Sequence, residues 1–382
     1  MGYGVSFWPG ERVLMGPGPS NVSPRVLKAL SMPILGHLDP EFLSLLDRLS
    51  DNLRKIFRTS NTLTLAISGT GSAGMEASFV NTIEPRDDIL IGVNGVFGQR
   101  MVDVATRAGG NVHVVEAPMG EMIEPDKLIA LHKKYPNAKV LAVVHAETST
   151  GVRQPLEEIG IYLKDKKTLF IVDAVTSLGG IPVFVDDWGI DVCYSGTQKC
   201  LSVPPGLSPI TFSHKAEDVI DKRKTKVKSW YLDLLLIRRY VGQERLYHHT
   251  APVSMLYALL EGTQIILEEG LENRWQRHER LGKFLHDALI DLGFEMLVEK
   301  AYRLPELTTA ILPQGVNAEY VRKKMLEDFS IEIGAGLGSL KGKVLRIGLM
   351  GETCKLMYLN YFLYALRSIV DGVLVRYSVG HA

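Results

Sequence analysis

Short apolar runs alternate along this chain with stretches whose apolar residues recur every three or four positions. Helical periodicity appears first at Pro24–Leu30 and over Glu41–Phe57. Strands are then predicted at Leu63–Ile67, Ile89–Val93, Val112–Glu116, Val140–His145, Leu169–Val172, Val192–Ser195 and Ser208–Phe212. Between them, helices are predicted over Met75–Thr82, Gly98–Ala108, Pro125–Tyr135 and Leu156–Lys164. This alternation is that of an α/β fold, a mostly parallel sheet with right-handed crossovers and helices on both faces.

The texture changes after Val253. A long helix from Ser254 to Leu292 gives way to strands at Glu295–Val298 and Leu307–Leu312. A helix over Ala318–Phe329, strands at Ile331–Ile333 and Val344–Ile347, and a closing helix over Lys355–Val370 complete an α+β region. At 382 residues the chain exceeds what one hydrophobic core usually fills. The expected organisation is an extended arm over 1–23, a large domain over 24–255 and a smaller C-terminal domain over 256–382. The arm is rich in Gly and Pro (Gly16-Pro17-Gly18-Pro19), yet Phe7, Trp8, Val13 and Leu14 argue that it packs on something.

Composition narrows the class. Apolar residues at 46% with 23% charged describe a globular protein. A net charge of zero disfavours a nucleic-acid or anionic-membrane surface, so the basic stretch Lys222–Lys228 reads as a solvated segment. No apolar run reaches membrane-spanning length, and no secretory leader is expected. Met1-Gly2 with Ser6 matches an acylation pattern without a second anchor, and Gly380-His381-Ala382 is not a peroxisomal ending. Cys193, Cys200 and Cys354 show neither metal nor disulfide spacing, which points to a reducing compartment, the cytoplasm.

Candidate chemistry sits at two strand ends. Asp173 closes the run Phe170-Ile171-Val172, and Lys199 follows Tyr194-Ser195-Gly196-Thr197-Gln198. In a parallel sheet, strand carboxyl ends converge on one crevice. An amine and a carboxylate delivered there suit pyridoxal phosphate, with the amine bonded to the aldehyde and the acid holding the ring nitrogen protonated. An ordinary buried Lys–Asp pair remains the alternative for these two residues alone.

Gly69-Thr70-Gly71-Ser72-Ala73-Gly74 follows a strand and opens a helix. Its amides form an anion pocket for a phosphate. The spacing also fits a dinucleotide fingerprint, but that reading needs an acid at the end of the next strand. Asp87 and Asp88 precede that strand, and its far end reads Asn94-Gly95. Adjacent His248 and His249 in a strand would face opposite ways, so no metal is expected.

Taken in order, the glycine loop, Asn94–Arg100, His145–Gly151, the Asp173 strand, Ser195–Lys199, Trp230–Asp233, Tyr247–Thr250, Glu269–Asn273 and Val344–Gly351 resemble the class V aminotransferases. The likeness runs from about Leu14 to Val370 and is strongest to the alanine–glyoxylate and serine–pyruvate branch. It implies a fold-type I, pyridoxal-phosphate-dependent homodimer with shared active sites. Lys199 would carry the cofactor and Asp173 would pair with its ring nitrogen. Phe97, where the family often has Trp, would stack on the ring, with Val175 on the other face and Thr148 at the ring hydroxyl. Thr70, Gly71, Ser72 and Gln198 would hold the phosphate, joined by Tyr247 and Thr250 of a second chain. Arg346 would grip the substrate carboxylate through its planar fork. Gly18 and His37 would line the substrate pocket.

The implied reaction is ping-pong transfer of the amino group of alanine or serine to glyoxylate or pyruvate. Transaminases of ureidoglycine or 3-hydroxykynurenine are the nearest alternatives. A cysteine desulfurase-like lyase needs a cysteine on the loop Gly334–Leu340, which has none. A cofactor-free binding protein would be colourless.

Overall fold

A computed structural model describes the chain from Pro9 to Val379. Phe7 and Trp8, the Met1–Ser6 pattern and the Gly380–Ala382 ending lie outside those residues. The main sheet has seven strands: β1 (Leu63–Ser68), β2 (Asp88–Val93), β3 (Asn111–Glu116), β4 (Val140–Val144), β5 (Leu169–Asp173), β6 (Val192–Tyr194) and β7 (Leu207–Phe212). Their order is β1-β7-β6-β5-β4-β2-β3. β7 runs against both neighbours and all other pairs are parallel. Two reversals leave β1 pointing the same way as β6, so the loops after β1, β2, β4, β5 and β6 open at one edge. The order turns back between β2 and β4, which is where a crevice forms in such sheets.

Successive strand residues face opposite sides, and both sides are covered. Ile89, Ile91, Leu169 and Ile171 pack with Met75, Phe79, Met101 and Ala105 from helices α1 (Gly71–Thr82) and α2 (Val96–Ala108). Leu90, Leu141, Phe170 and Val172 join the opposite core with Leu49, Leu53, Leu259 and Ile266. The last two lie on α3 (Val253–Glu269). Fully burying a side chain such as Phe170 stabilises the fold by roughly 1.5–3 kcal/mol.

The predicted helix from Ser254 to Leu292 is two helices. α3 ends at Gly270, whose φ of +80° favours glycine, and α4 (Leu271–Asp291) starts immediately after it. The apolar period continues across the break, so periodicity alone did not show it. Two further helices, His214–Asp221 and Leu234–Val241, are not predicted from the sequence; in the second, the unbroken apolar run Leu234–Ile237 hides any period. α4 covers a second sheet of four strands, β8 (Glu295–Met296), β9 (Leu307–Ile311), β10 (Gly334–Ala335) and β11 (Val344–Gly348), ordered β8-β9-β11-β10 and antiparallel throughout. Leu285, Leu289, Ala310, Leu345, Ile347 and Phe362 form its core. No helix among the described residues is long and apolar enough to cross a membrane.

The arm is ordered from Pro9 onward. Val13–Leu14 pairs in parallel with Ile331–Glu332, and Met15 is fully buried. The Gly348 N–H donates to the Met15 carbonyl at 2.8 Å. From there the chain turns toward the edge of the main sheet.

Glu306, just before β9, is fully buried, and neither carboxylate oxygen has a hydrogen-bond partner among the described residues. Burial pushes its carboxyl up from 4.5 to about 8, with Arg153 pulling down and Glu279 pushing up. Above 4.5 the unfolded chain releases this proton while the folded chain keeps it, so stability falls as pH rises toward about 8. The Glu306→Gln variant should therefore lose less stability than wild type between pH 5 and pH 8, measured by denaturant unfolding at each pH, at about 1.4 kcal/mol per unit of removed shift. Parallel pH curves for the two proteins would contradict this placement.

Candidate active site

Asp173 ends β5 and Lys199 follows β6, with Asp173 registered against Tyr194 on the neighbouring strand. Thr70, Gly71, Ser72, Phe97, Thr148, Asp173, Val175, Gln198 and Lys199 all line one cavity of about 140 Å³ at this edge. A larger cavity of about 320 Å³ runs along β1, but it contains neither Asp173 nor Lys199. The smaller one is the site with chemistry.

Each side chain is held. Asp173 Oδ1 accepts from the Val175 N–H at 2.8 Å and Oδ2 from the Tyr194 hydroxyl at 2.9 Å. Burial nevertheless pushes its carboxyl up to about 7, against those two bonds. A cation seated beside it would restore the ionised form. Lys199 is 9% exposed, and burial together with the Arg346 charge brings its amine down to about 8. Its Nζ donates to the Pro17 carbonyl, and a side chain on Gly18 would meet Nζ at 2.7 Å. The arm thus closes over the lysine. The lysine loop is fixed further by Ser20, whose N–H and hydroxyl donate to the carbonyls of Gln198 and Lys199, each at 2.9 Å.

Arg346 on β11 is buried, with Nε donating to the Ala335 carbonyl at 2.6 Å and Nη1 to the Thr148 carbonyl at 2.8 Å. Burial lowers it to about 10, and Glu147 opposes that. Glu147, fully buried, accepts from the N–H groups of Phe97 at 3.0 Å, Gly98 at 3.3 Å and Ser149 at 3.0 Å. It therefore caps α2 and fixes where Phe97 stands. Arg100 lies 4.9 Å from the Phe97 ring centroid.

His37, Tyr247 and Thr250 do not line the Lys199 cavity of their own chain. They cluster elsewhere: the Tyr247 and Thr250 hydroxyls are 3.4 Å apart, and the rings of His37 and Tyr247 are 5.0 Å apart. His248 and His249 lie in an irregular stretch, not a strand, with their Nδ1 atoms 2.8 Å apart. Sequence reasoning missed Tyr194 and Ser20, since a hydroxyl several residues away carries no signal for its partner.

The residues fit pyridoxal phosphate. The first turn of α1 has no side-chain cap, which leaves its backbone N–H groups for a phosphate, and Gln198, which lines the same cavity, can donate to it only through Nε2. Asp173 needs a cation, and Lys199 offers an amine with a lowered affinity for protons.

The model of "Aminotransferase class-V" matches residues 17–355. The chain belongs to the class V aminotransferases. This family depends on pyridoxal phosphate. The chain is 39% identical to the (S)-ureidoglycine–glyoxylate transaminase of Bacillus subtilis over 97% of this chain and 92% of that protein. The alanine–glyoxylate aminotransferase of Callithrix jacchus is 43% identical over 89% of this chain and 83% of its own. A crystal structure of alanine–glyoxylate aminotransferase from Nostoc sp. superposes with a TM-score of 0.94 at 46% identity, covering 96% and 97% of the two chains.

With cofactor removed, Lys199 should react with trinitrobenzenesulfonate with a midpoint near pH 8, followed by peptide mapping. Arg346→Met removes a nearby positive charge and should move that midpoint upward. A wild-type midpoint near the ordinary 10.5 would contradict the burial described.

Proposed function

We propose that the protein transfers the amino group of a small amino acid, alanine or serine, to glyoxylate or pyruvate in a ping-pong cycle. The observation that carries this reading is one buried amine beside one buried carboxylate, under a narrow arm and facing a buried arginine. When bound, pyridoxal phosphate supplies an electron sink conjugated to the substrate's α-carbon.

The chain's own residues then have distinct tasks. Thr70, Gly71, Ser72 and Gln198 hold the phosphate, with the dipole of α1 behind them. Phe97 and Val175 would hold the ring, and Thr148 would offer its hydroxyl to the ring hydroxyl, all three lining the same cavity. Asp173 keeps the proton on the ring nitrogen, and Tyr194 holds the carboxylate in place. Arg346 binds the substrate carboxylate and so orients the α-hydrogen toward Lys199. Lys199 Nζ takes that proton and returns it, a positioned transfer worth about 10²–10⁴-fold. An amine brought down to about 8 is neutral far more often near pH 7 than an ordinary lysine, which favours its use as a base. Pro17 and Gly18 lie against Lys199, a narrow approach that suits a small substrate side chain.

The working unit in this reading is a homodimer. Ile34, Leu38, Trp230, Tyr231, Leu246 and Tyr247 are exposed on one chain, Trp230 by 64%. His37, Tyr247 and Thr250 would complete the cavity of a second chain, as they do not reach their own. Of the division into an arm (1–23), a large domain (24–255) and a small domain (256–382), the two sheets with their separate cores support a large and a small domain, but α3 packs Leu259 and Ile266 into the main-sheet core, which favours a boundary after α3 rather than at 255/256. Three buried free cysteines support a reducing compartment, the cytoplasm.

A second donor, ureidoglycine, is favoured by the likeness to the Bacillus subtilis ureidoglycine–glyoxylate transaminase. The desulfurase alternative finds no support, since Cys193, Cys200 and Cys354 are all buried.

A half-reaction panel tests this. Alanine or serine should bleach the bound cofactor's visible band, and glyoxylate or pyruvate should restore it. Lys199→Ala should slow the bleaching by at least about 10²-fold. Bleaching by ureidoglycine but by neither alanine nor serine would replace the first reading with the second. Full-speed turnover in Lys199→Ala would end both.

A further inference from the structure

Behind the lysine loop lies a charged cluster to which the reaction as described assigns no task. Arg274, on α4, is fully buried with its guanidinium shared among three acceptors. Nε donates to the Gly179 carbonyl at 2.8 Å, Nη2 to the Cys200 carbonyl at 2.6 Å, and Nη1 to Glu269 at 2.6 Å. Gly179 and Cys200 both belong to loops at the edge of the main sheet, and Cys200 is the residue next to Lys199.

Arg277, one helical turn on, faces the other way. Its Nη1 donates to the carbonyl of Gly351 at 3.0 Å and to that of Cys354, just beyond the strand that carries Arg346. Its Nε and Nη2 grip the same Glu269 carboxylate at 2.6 and 2.9 Å. Burial pushes Glu269 up, but the Arg277 hydrogen bond and the charges of both arginines win and hold it at about 2. Gly351 closes the gap: a side chain there would meet the Cys200 carbonyl at 2.6 Å and Arg274 Nη2 at 2.9 Å. His278 Nε2 accepts from the Gly351 N–H at 3.0 Å.

One carboxylate therefore joins two arginines, and each arginine holds backbone carbonyls from one side of the active site. We propose that Glu269, Arg274 and Arg277 form a clasp of positioning residues that sets the Lys199 loop and the Arg346 strand in register with each other. The assignment rests on the roles proposed above for Lys199 and Arg346. Arg274 governs the lysine side and Arg277 the carboxylate-binding side. Only guanidinium groups serve, because a planar fork meets several acceptors at once and a lysine ammonium does not. A displacement of about 1 Å at either end is enough to slow proton transfer or weaken binding by up to about 10²-fold.

The test uses the cofactor-loaded protein and compares Arg274→Gln, Arg277→Gln and Glu269→Gln with Leu285→Ala, a core truncation away from the clasp. Arg274→Gln is expected to lower kcat by about 10-fold or more with KM nearly unchanged. Arg277→Gln is expected to raise KM for both amino acid and oxo acid by about 10-fold with a smaller effect on kcat. Glu269→Gln, the mildest change in shape, should move both parameters and keeps the test open should an arginine variant not fold. In cofactor-free protein, Arg274→Gln should also shift the pH midpoint of Lys199 labelling, whereas Leu285→Ala should not. If the clasp variants change kcat and KM no more than Leu285→Ala at an equal loss of Tm, the clasp is merely structural and the proposal is overturned. Failure of the transaminase reading would show differently, as absent wild-type turnover with the labelling shift intact.

Discussion

The structure depends on one constraint: a lysine and an aspartate, which water would keep charged, are both held in a dry crevice at the ends of adjacent strands. Desolvation lowers Lys199 to about 8 and raises Asp173 to about 7. Neither group is at rest there alone. A cationic ring nitrogen would relieve the acid, and an aldehyde would suit the amine, which is what pyridoxal phosphate offers.

Everything around the pair serves to keep it dry and fixed. The sheet brings five loops to one edge, and β7, the strand running against the rest, lets β1 contribute its phosphate-binding turn to that edge. The arm crosses from the second sheet to lay Pro17 and Gly18 on the lysine. Arg346 reaches from the second sheet and fastens to Thr148 in the loop after β4. Glu147 links the helix that carries Phe97 to that same loop. Backbone carbonyls and buried charges, rather than apolar contacts, make most of these cross-ties, which is why small misplacements should appear in the kinetics before they appear in stability.

Much of this was legible from residues alone. Strands and their order in the chain followed from short apolar runs, and Asp173 and Lys199 stood out because each follows one. The glycine loop gave its phosphate-binding character without distinguishing between two cofactors, until the missing acid after β2 decided. What stayed hidden was whatever depends on distant partners. Gly270 breaks a helix inside an unbroken apolar period, and no pattern reveals a left-handed residue that the chain could also have avoided. Tyr194, Ser20 and the clasp around Glu269 act on groups far away in sequence. His37, Tyr247 and Thr250 were named as site residues, but their separation from the cavity of their own chain emerges only in three dimensions.

The central claim is that the Lys199 side chain bears the cofactor, and one measurement addresses it directly. The purified protein, reduced with borohydride and digested, should yield a single pyridoxyl-labelled peptide spanning Ser195 to Cys200, with the label on Lys199. A label on any other lysine, or none on protein that carries its cofactor, would contradict the account.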